Sequence, residues 1–139
     1  MIAKDLKFED IKKGDSSSFE VTITESDIQK FAELSGDYNP LHVDEEYANE
    51  TEFVGRVVHG MFLGSLVSRF VGMELPGKKA LLLKETLEFK KPARIGDRII
   101  VKGAVVYKSE PLRLIELLME IRTEKELLVS GSVYAGVLL

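Results

Sequence analysis

The chain has 139 residues, 45% of them hydrophobic, which is enough for one domain with a real core and too few for two. Its 19 basic residues are outweighed by 23 acidic ones, and no Lys/Arg stripe is present, so a nucleic-acid partner is not expected. There is no cysteine, which excludes disulfides, thiolate nucleophiles and Cys-based metal sites. The first residues, Met1-Ile2-Ala3-Lys4-Asp5-Leu6, lack the continuous apolar run of a signal peptide or membrane helix. A single soluble, cytoplasmic domain over 1–139, without a membrane partner, is the expectation.

Phe19-Glu20-Val21-Thr22-Ile23-Thr24 alternates apolar and polar residues in the period of a half-buried strand. Thr24 can then cap a helix, with Asp27 three residues on and Ile28, Phe31, Ala32 and Leu34 at helical spacing, and Gly36 ends it in a left-handed cap. Ser35 to Pro40 reads as a loop, since Gly36, Asp37, Asn39 and Pro40 are turn formers. A short helix from Asp44 to Asn49 follows. The longest apolar stretch, 60–71, is apolar on most faces and predicts a helix buried by its surroundings, too short and too interrupted by Ser and Arg to cross a bilayer.

Pro76-Gly77 closes that segment, and the rest of the chain predicts four strands: Leu81–Phe89, Ile99–Lys108, Leu112–Thr123 and Leu127–Leu139. The sum is an α+β domain whose antiparallel sheet curls around one buried helix. Such a sheet leaves an edge strand exposed, so dimerisation with two sheets side by side is expected to cover it.

Polar chemistry concentrates between Asp37 and His59. The stiff Asn39-Pro40 turn can aim the Asp37 carboxylate and the His42 imidazole into one volume, where they could hold a water and pass protons near neutral pH. The free amides at the start of the 60–71 helix offer a donor for developing negative charge on oxygen, and Gly60, lacking a side chain, would let a carbonyl come close. Plainer roles fit the same residues. Asp37 and Asn39 also read as turn and cap residues, His42 and His59 as donors to backbone carbonyls, and Ser68 as a hydroxyl bonded to the preceding helical turn. Lys90, Lys91, Arg94 and Arg98 read as a solvated face, or as contacts for the phosphates of a nucleotide-bearing ligand such as coenzyme A. Two histidines without an HExxH pattern argue against a metal site, and the absence of Gly-x-Ser-x-Gly argues against a serine hydrolase.

Phe31-Ala32-Glu33-Leu34-Ser35-Gly36-Asp37-Tyr38-Asn39-Pro40-Leu41-His42, with Ala48 beyond it, resembles the hydratase motif of the MaoC-like (R)-specific enoyl-CoA hydratases. Gly55-Arg56-Val57-Val58-His59-Gly60-Met61 is similar to the family's approach to its central helix, and Phe89-Lys90-Lys91-Pro92 through Gly96-Asp97 to its later strand and turn. The resemblance implies a hot-dog fold and a homodimer or dimer of dimers with active sites near the subunit interface. It implies Asp37 and His42 as the catalytic pair and the Gly60 N–H as the donor to the thioester carbonyl. Asn39 would shape the loop, and Ser68 would support the site. The implied activity is (R)-specific hydration of trans-2-enoyl-CoA, with an acyl-CoA thioester as partner and no cofactor beyond the coenzyme A of the substrate. Three alternatives stay open: dehydration of 3-hydroxyacyl groups on acyl-carrier protein, a non-catalytic acyl-thioester binding module, and a thioesterase that shares the fold. Met61, Phe62, Leu63, Leu66 and Met73 are the candidates to close an acyl tunnel.

Overall fold

A computed structural model describes all of residues 1–139. After one turn of 3-10 helix at Phe8–Asp10 come strand β1 (Ser16–Thr22), helix α1 (Glu25–Ser35), the short helices α2 (Pro40–Val43) and α3 (Glu45–Asn49), and the long helix α4 (Gly60–Met73). Strands β2 (Ala80–Phe89), β3 (Arg98–Ser109), β4 (Leu114–Arg122) and β5 (Leu127–Val137) complete the chain. They form one five-stranded sheet in the order β1-β3-β4-β5-β2, with every pairing antiparallel. Extra residues break the register in β2 between Leu82 and Lys84 and in β3 between Val105 and Tyr107, and such bulges sharpen the bend and twist of a sheet.

Alternation puts one face of the three central strands in the core. Ile99, Val101 and Val105 of β3, Ile115, Leu117, Met119 and Ile121 of β4, and Val129, Val133, Ala135 and Val137 of β5 are all buried. Helix α4 lies against that face. Its Leu63, Leu66, Val67, Phe70 and Val71 recur at i, i+3, i+4, i+7 and i+8, the stripe of a one-sided helix, and all are buried. A side-chain carbon on Gly103 would stand 2.5 Å from the Phe70 ring, so only glycine in β3 lets the helix sit this low on the sheet.

Helix α4 is buried by its surroundings as expected, except along one side. Met61, Ser65 and Ser68 form an open side, with Met61 58% exposed. Strand β1 begins at Ser16 and ends at Thr22, earlier than the alternation suggested, because Thr24 is already committed to capping α1. The edge strand β2 leaves Leu81, Leu82, Leu83 and Phe89 exposed, an apolar edge of the kind that usually meets another surface.

Candidate active site

The segment that carries the polar motif is built from local bonds. Thr24 and Asp27 complete a reciprocal capping box at the start of α1, and Gly36 ends the helix at φ 77°, where its N–H reaches the Ala32 carbonyl at 2.8 Å. The Ser35 hydroxyl donates to the Phe31 carbonyl and accepts from the Asp37 N–H at 3.1 Å. One carboxylate oxygen of Asp37 accepts the Asn39 N–H at 3.1 Å, and the Asn39 side chain accepts the Leu41 N–H at 3.0 Å, capping α2 with Pro40 in its first position. The plain reading of Asp37 and Asn39 as turn and cap residues is therefore realised. It leaves the second Asp37 oxygen without a turn partner, on an exposed residue.

His42 sits on α2, half-buried. Its Nδ1–H donates to the Val57 carbonyl at 2.8 Å, and a carbonyl can only accept, so the proton of the neutral ring is fixed on Nδ1. Nε2 is left with a lone pair. His59 is 1% exposed and donates from Nε2 to the Asp37 carbonyl at 2.9 Å. Its ring stacks on His42 at 4.0 Å with an interplanar angle of 29°, and Phe31 meets it edge-on at 4.9 Å. His59 is structural in the sense expected, and it also holds Asp37 and His42 in register with each other.

Ligand atoms of Asp37, His42 and His59 all lie within 4.8 Å of one another, close enough to consider a metal ion. The donor set fits one poorly. One nitrogen of each ring is committed to a backbone carbonyl, and the remaining lone pairs lie in two stacked planes rather than converging on a tetrahedral centre.

His42, Gly60, Val57, Leu63, Phe53 and Phe89 line a cavity of about 350 Å³, with Lys90 to Ala93 along one wall. Gly60 opens α4, so its N–H has no carbonyl four residues earlier in the helix. A side-chain carbon there would stand 3.2 Å from the Phe89 ring. Glycine at this position therefore keeps the helix start open to the cavity and lets β2 close against it.

The cavity wall is clamped from outside. Arg94 donates to the carbonyls of Phe53, Gly55 and Arg56 at 2.6, 2.9 and 3.1 Å, and the Val58 N–H reaches the Ala93 carbonyl at 2.9 Å. Arg56 is only 13% exposed and pairs with Glu45 at 3.1 Å and with Glu25, whose carboxyl is pulled below its usual range by the Arg56 hydrogen bond.

Of the sequence-based candidates, Asp37 and Asn39 gather around His42 on the loop, and His42 and Gly60 share the cavity wall, with Asp37 and Asn39 outside its lining. Ser68 joins neither group: it lies two turns further along α4, exposed, and away from the cavity lining. Arg94 clamps a loop rather than standing as a solvated charge, Arg98 stays on a solvated face at 73% exposure with Glu20 of the neighbouring strand as its partner, and Lys90 and Lys91 stand at the cavity, paired to Glu88 and Glu126. The turn of helix under His42 was missed, although Asn39-Pro40 as cap and first residue is a recognised start signal. The linking role of His59 and the clamp of Arg94 carry no local sequence signal.

A curled antiparallel sheet wrapped on one helix, with a histidine and a carboxylate before the helix start, defines a hot-dog domain of the hydratase type. The chain belongs to the MaoC-like domain family, which matches residues 8–123. It is 50% identical over 92 residues to the (R)-specific enoyl-CoA hydratase of Rhodospirillum rubrum, a match covering 66% of this chain and 64% of that protein, so the aligned region spans just under two thirds of that relative. In three dimensions it is similar to an R-hydratase of Pseudomonas aeruginosa in its unliganded form, with a TM-score of 0.92 at 30% identity over 98% of this chain and 88% of that one. It is also similar to the (R)-hydratase of A. caviae involved in PHA biosynthesis, with a TM-score of 0.89 at 32% identity over 93% and 98% of the two chains.

Proposed function

We propose that the protein hydrates trans-2-enoyl-CoA thioesters to (R)-3-hydroxyacyl-CoA, and catalyses the reverse dehydration, with Asp37 and His42 as the acid/base pair. The observation that carries this reading is the fixed tautomer of His42: Val57 holds the proton on Nδ1, which leaves Nε2 a lone pair, and His42 lines a cavity together with Gly60, the first residue of α4. The names of the R. rubrum and A. caviae relatives point to the same chemistry.

In the hydration direction the thioester carbonyl oxygen accepts the Gly60 N–H, which stabilises the enolate as water adds. Asp37 and His42 hold the water. Its oxygen bonds to C3, one proton leaves it to the pair, and the pair returns one proton to C2, so the sum is addition of one water molecule from one face of the double bond. Asn39 keeps the loop in shape through its cap to Leu41. The chemistry needs no cofactor beyond the coenzyme A of the substrate, whose phosphates would meet Lys90 and Lys91 at the cavity wall.

The working form in this reading is a homodimer or a dimer of dimers. The apolar outer edge at Leu81, Leu82 and Leu83 supports it, and light scattering of the purified protein tests it.

The deciding experiment follows the loss of enoyl absorbance with crotonyl-CoA for wild type, Asp37→Asn and His42→Ala at matched thermal stability, with chiral analysis of the product. Wild type is expected to give the (R)-3-hydroxyacyl thioester, and each variant to lose about 10²- to 10⁴-fold in rate. Undiminished turnover in either folded variant would remove that residue from the mechanism.

A further inference from the structure

Glu85 occupies a place where the fold otherwise puts hydrocarbon. Across the sheet it stands in one row with Val133 of β5, Leu117 of β4 and Val105 of β3, all of them buried at 1% exposure or less. Residues directly opposite one another share a face, so the Glu85 side chain points to the inner, helix-bearing side. One of its carboxyl oxygens is fully buried and has no hydrogen-bond partner. Lys108, in the row of buried Ile115, is by contrast satisfied by the carbonyls of Phe8 and Ile11. Burial alone pushes the Glu85 carboxyl above its usual range, with no cation to offset it.

The position of this carboxyl relative to the cavity follows from the packing of β2 on α4. Phe89 lies against Gly60 and Leu87 against Gly64, so the strand and the helix run antiparallel along a shared strip. One more step along each brings Glu85 and Ser68 to the same level. Eight residues of helix from Gly60 to Ser68 rise about 12 Å, and four of strand from Phe89 to Glu85 span about 14 Å. The strip starts at the cavity shared by His42, Gly60 and Phe89. Met61 and Ser68 leave its helix side open, and Leu87 and Glu85 are only half-covered on its strand side.

We infer that Glu85 closes the acyl path and sets an upper limit on the length of the enoyl chain. This rests on the hydratase reading above. With the thioester oxygen on the Gly60 N–H, the acyl chain runs down the strip. Short chains end before Glu85, whereas a long chain must press methylenes against a carboxyl with one oxygen already out of water and strip water from the other, which is unfavourable for both. A polar group at the end of the path thus selects by length without narrowing it.

The test compares kcat/KM of wild type, Glu85→Leu and Glu85→Gln on crotonyl-, octenoyl- and dodecenoyl-CoA. The Leu variant is expected to raise the dodecenoyl-to-crotonyl ratio by about tenfold or more, the scale on which apolar pockets discriminate, with Gln giving a smaller gain and crotonyl turnover little changed. A ratio unchanged in both variants overturns the inference. Binding of saturated butyryl- and dodecanoyl-CoA, measured by calorimetry, should shift in the same sense and needs no turnover. If wild type hydrates nothing, the hydratase reading falls, and this binding ratio alone decides the role of Glu85. A change of oligomeric mass with both ratios unaltered would assign Glu85 to a subunit contact and overturn the inference.

Discussion

The segment from Thr24 to His59 and the central strands β3, β4 and β5 are held together in opposite ways. In the segment, Thr24, Ser35, Asp37, Asn39, Asp44 and Thr51 each use a side-chain oxygen to bond backbone within a few residues. In the strands, ladder pairs run the full length and the inner side chains are buried. Every residue proposed for chemistry except Gly60 comes from the first region, and Gly60 follows it directly. Short polar bonds set geometry with little buried hydrocarbon, so they give aim without much stability of their own. The sheet supplies stability, and Arg94 and the Val58–Ala93 bond transmit it to the loop before the active helix. Substitutions in the two regions should therefore separate activity from folding.

The largest effect on folding is expected from Leu117→Ala, at the centre of the buried sheet face. It should cost about 2–5 kcal/mol in denaturant unfolding, while the KM and kcat of the remaining folded protein stay near wild type. A selective loss of kcat at preserved stability would break the division of labour. Arg94→Ala tests the connection between the regions. Three carbonyls lose a charged donor, so a cost of about 1–3 kcal/mol is expected, together with a fall in kcat as the Val57 carbonyl that fixes His42 loosens. A smaller change, Asn39→Ala, removes one helix cap worth about 1 kcal/mol. Because that cap sits between Asp37 and His42, its effect on kcat should exceed its effect on stability, which rate measurements beside a melting curve would show.

The two regions also differ in how far they could be read from sequence. Helix α1 was legible at both ends, because a Thr24/Asp27 box and a left-handed Gly36 are local devices. The four strands from β2 to β5 were legible within two residues at each end because apolar runs and turn formers are local as well. The pairing of Asp37 with His42 was legible through the motif. The helical turn Pro40–Val43 was legible only at its start, in Asn39-Pro40, since four residues show no periodicity. The exposed position of Ser68 was not legible, because a helix so rich in apolar residues conceals which face it leaves open until the sheet is in place. His59 and Arg94 act through carbonyls up to 41 residues away, and no local pattern records such a reach.

Glu85 is where polar chemistry intrudes on the sheet's inner face, and it offers the finest test of the contrast. Its folded-state pKa is raised above the ordinary value of 4.5 by burial. A carboxyl raised in this way favours the fold while protonated, and that contribution is lost as pH rises through the folded-state value. Glu85→Gln does not titrate. The variant should accordingly melt above wild type at pH 7, and the gap should shrink as pH falls toward 4, which thermal melts across that range would follow. If the Gln variant instead melts below wild type at pH 7, a cation reaches Glu85 in the assembled protein, and the inner face of β2 is completed by a charge from another subunit rather than left for an acyl chain.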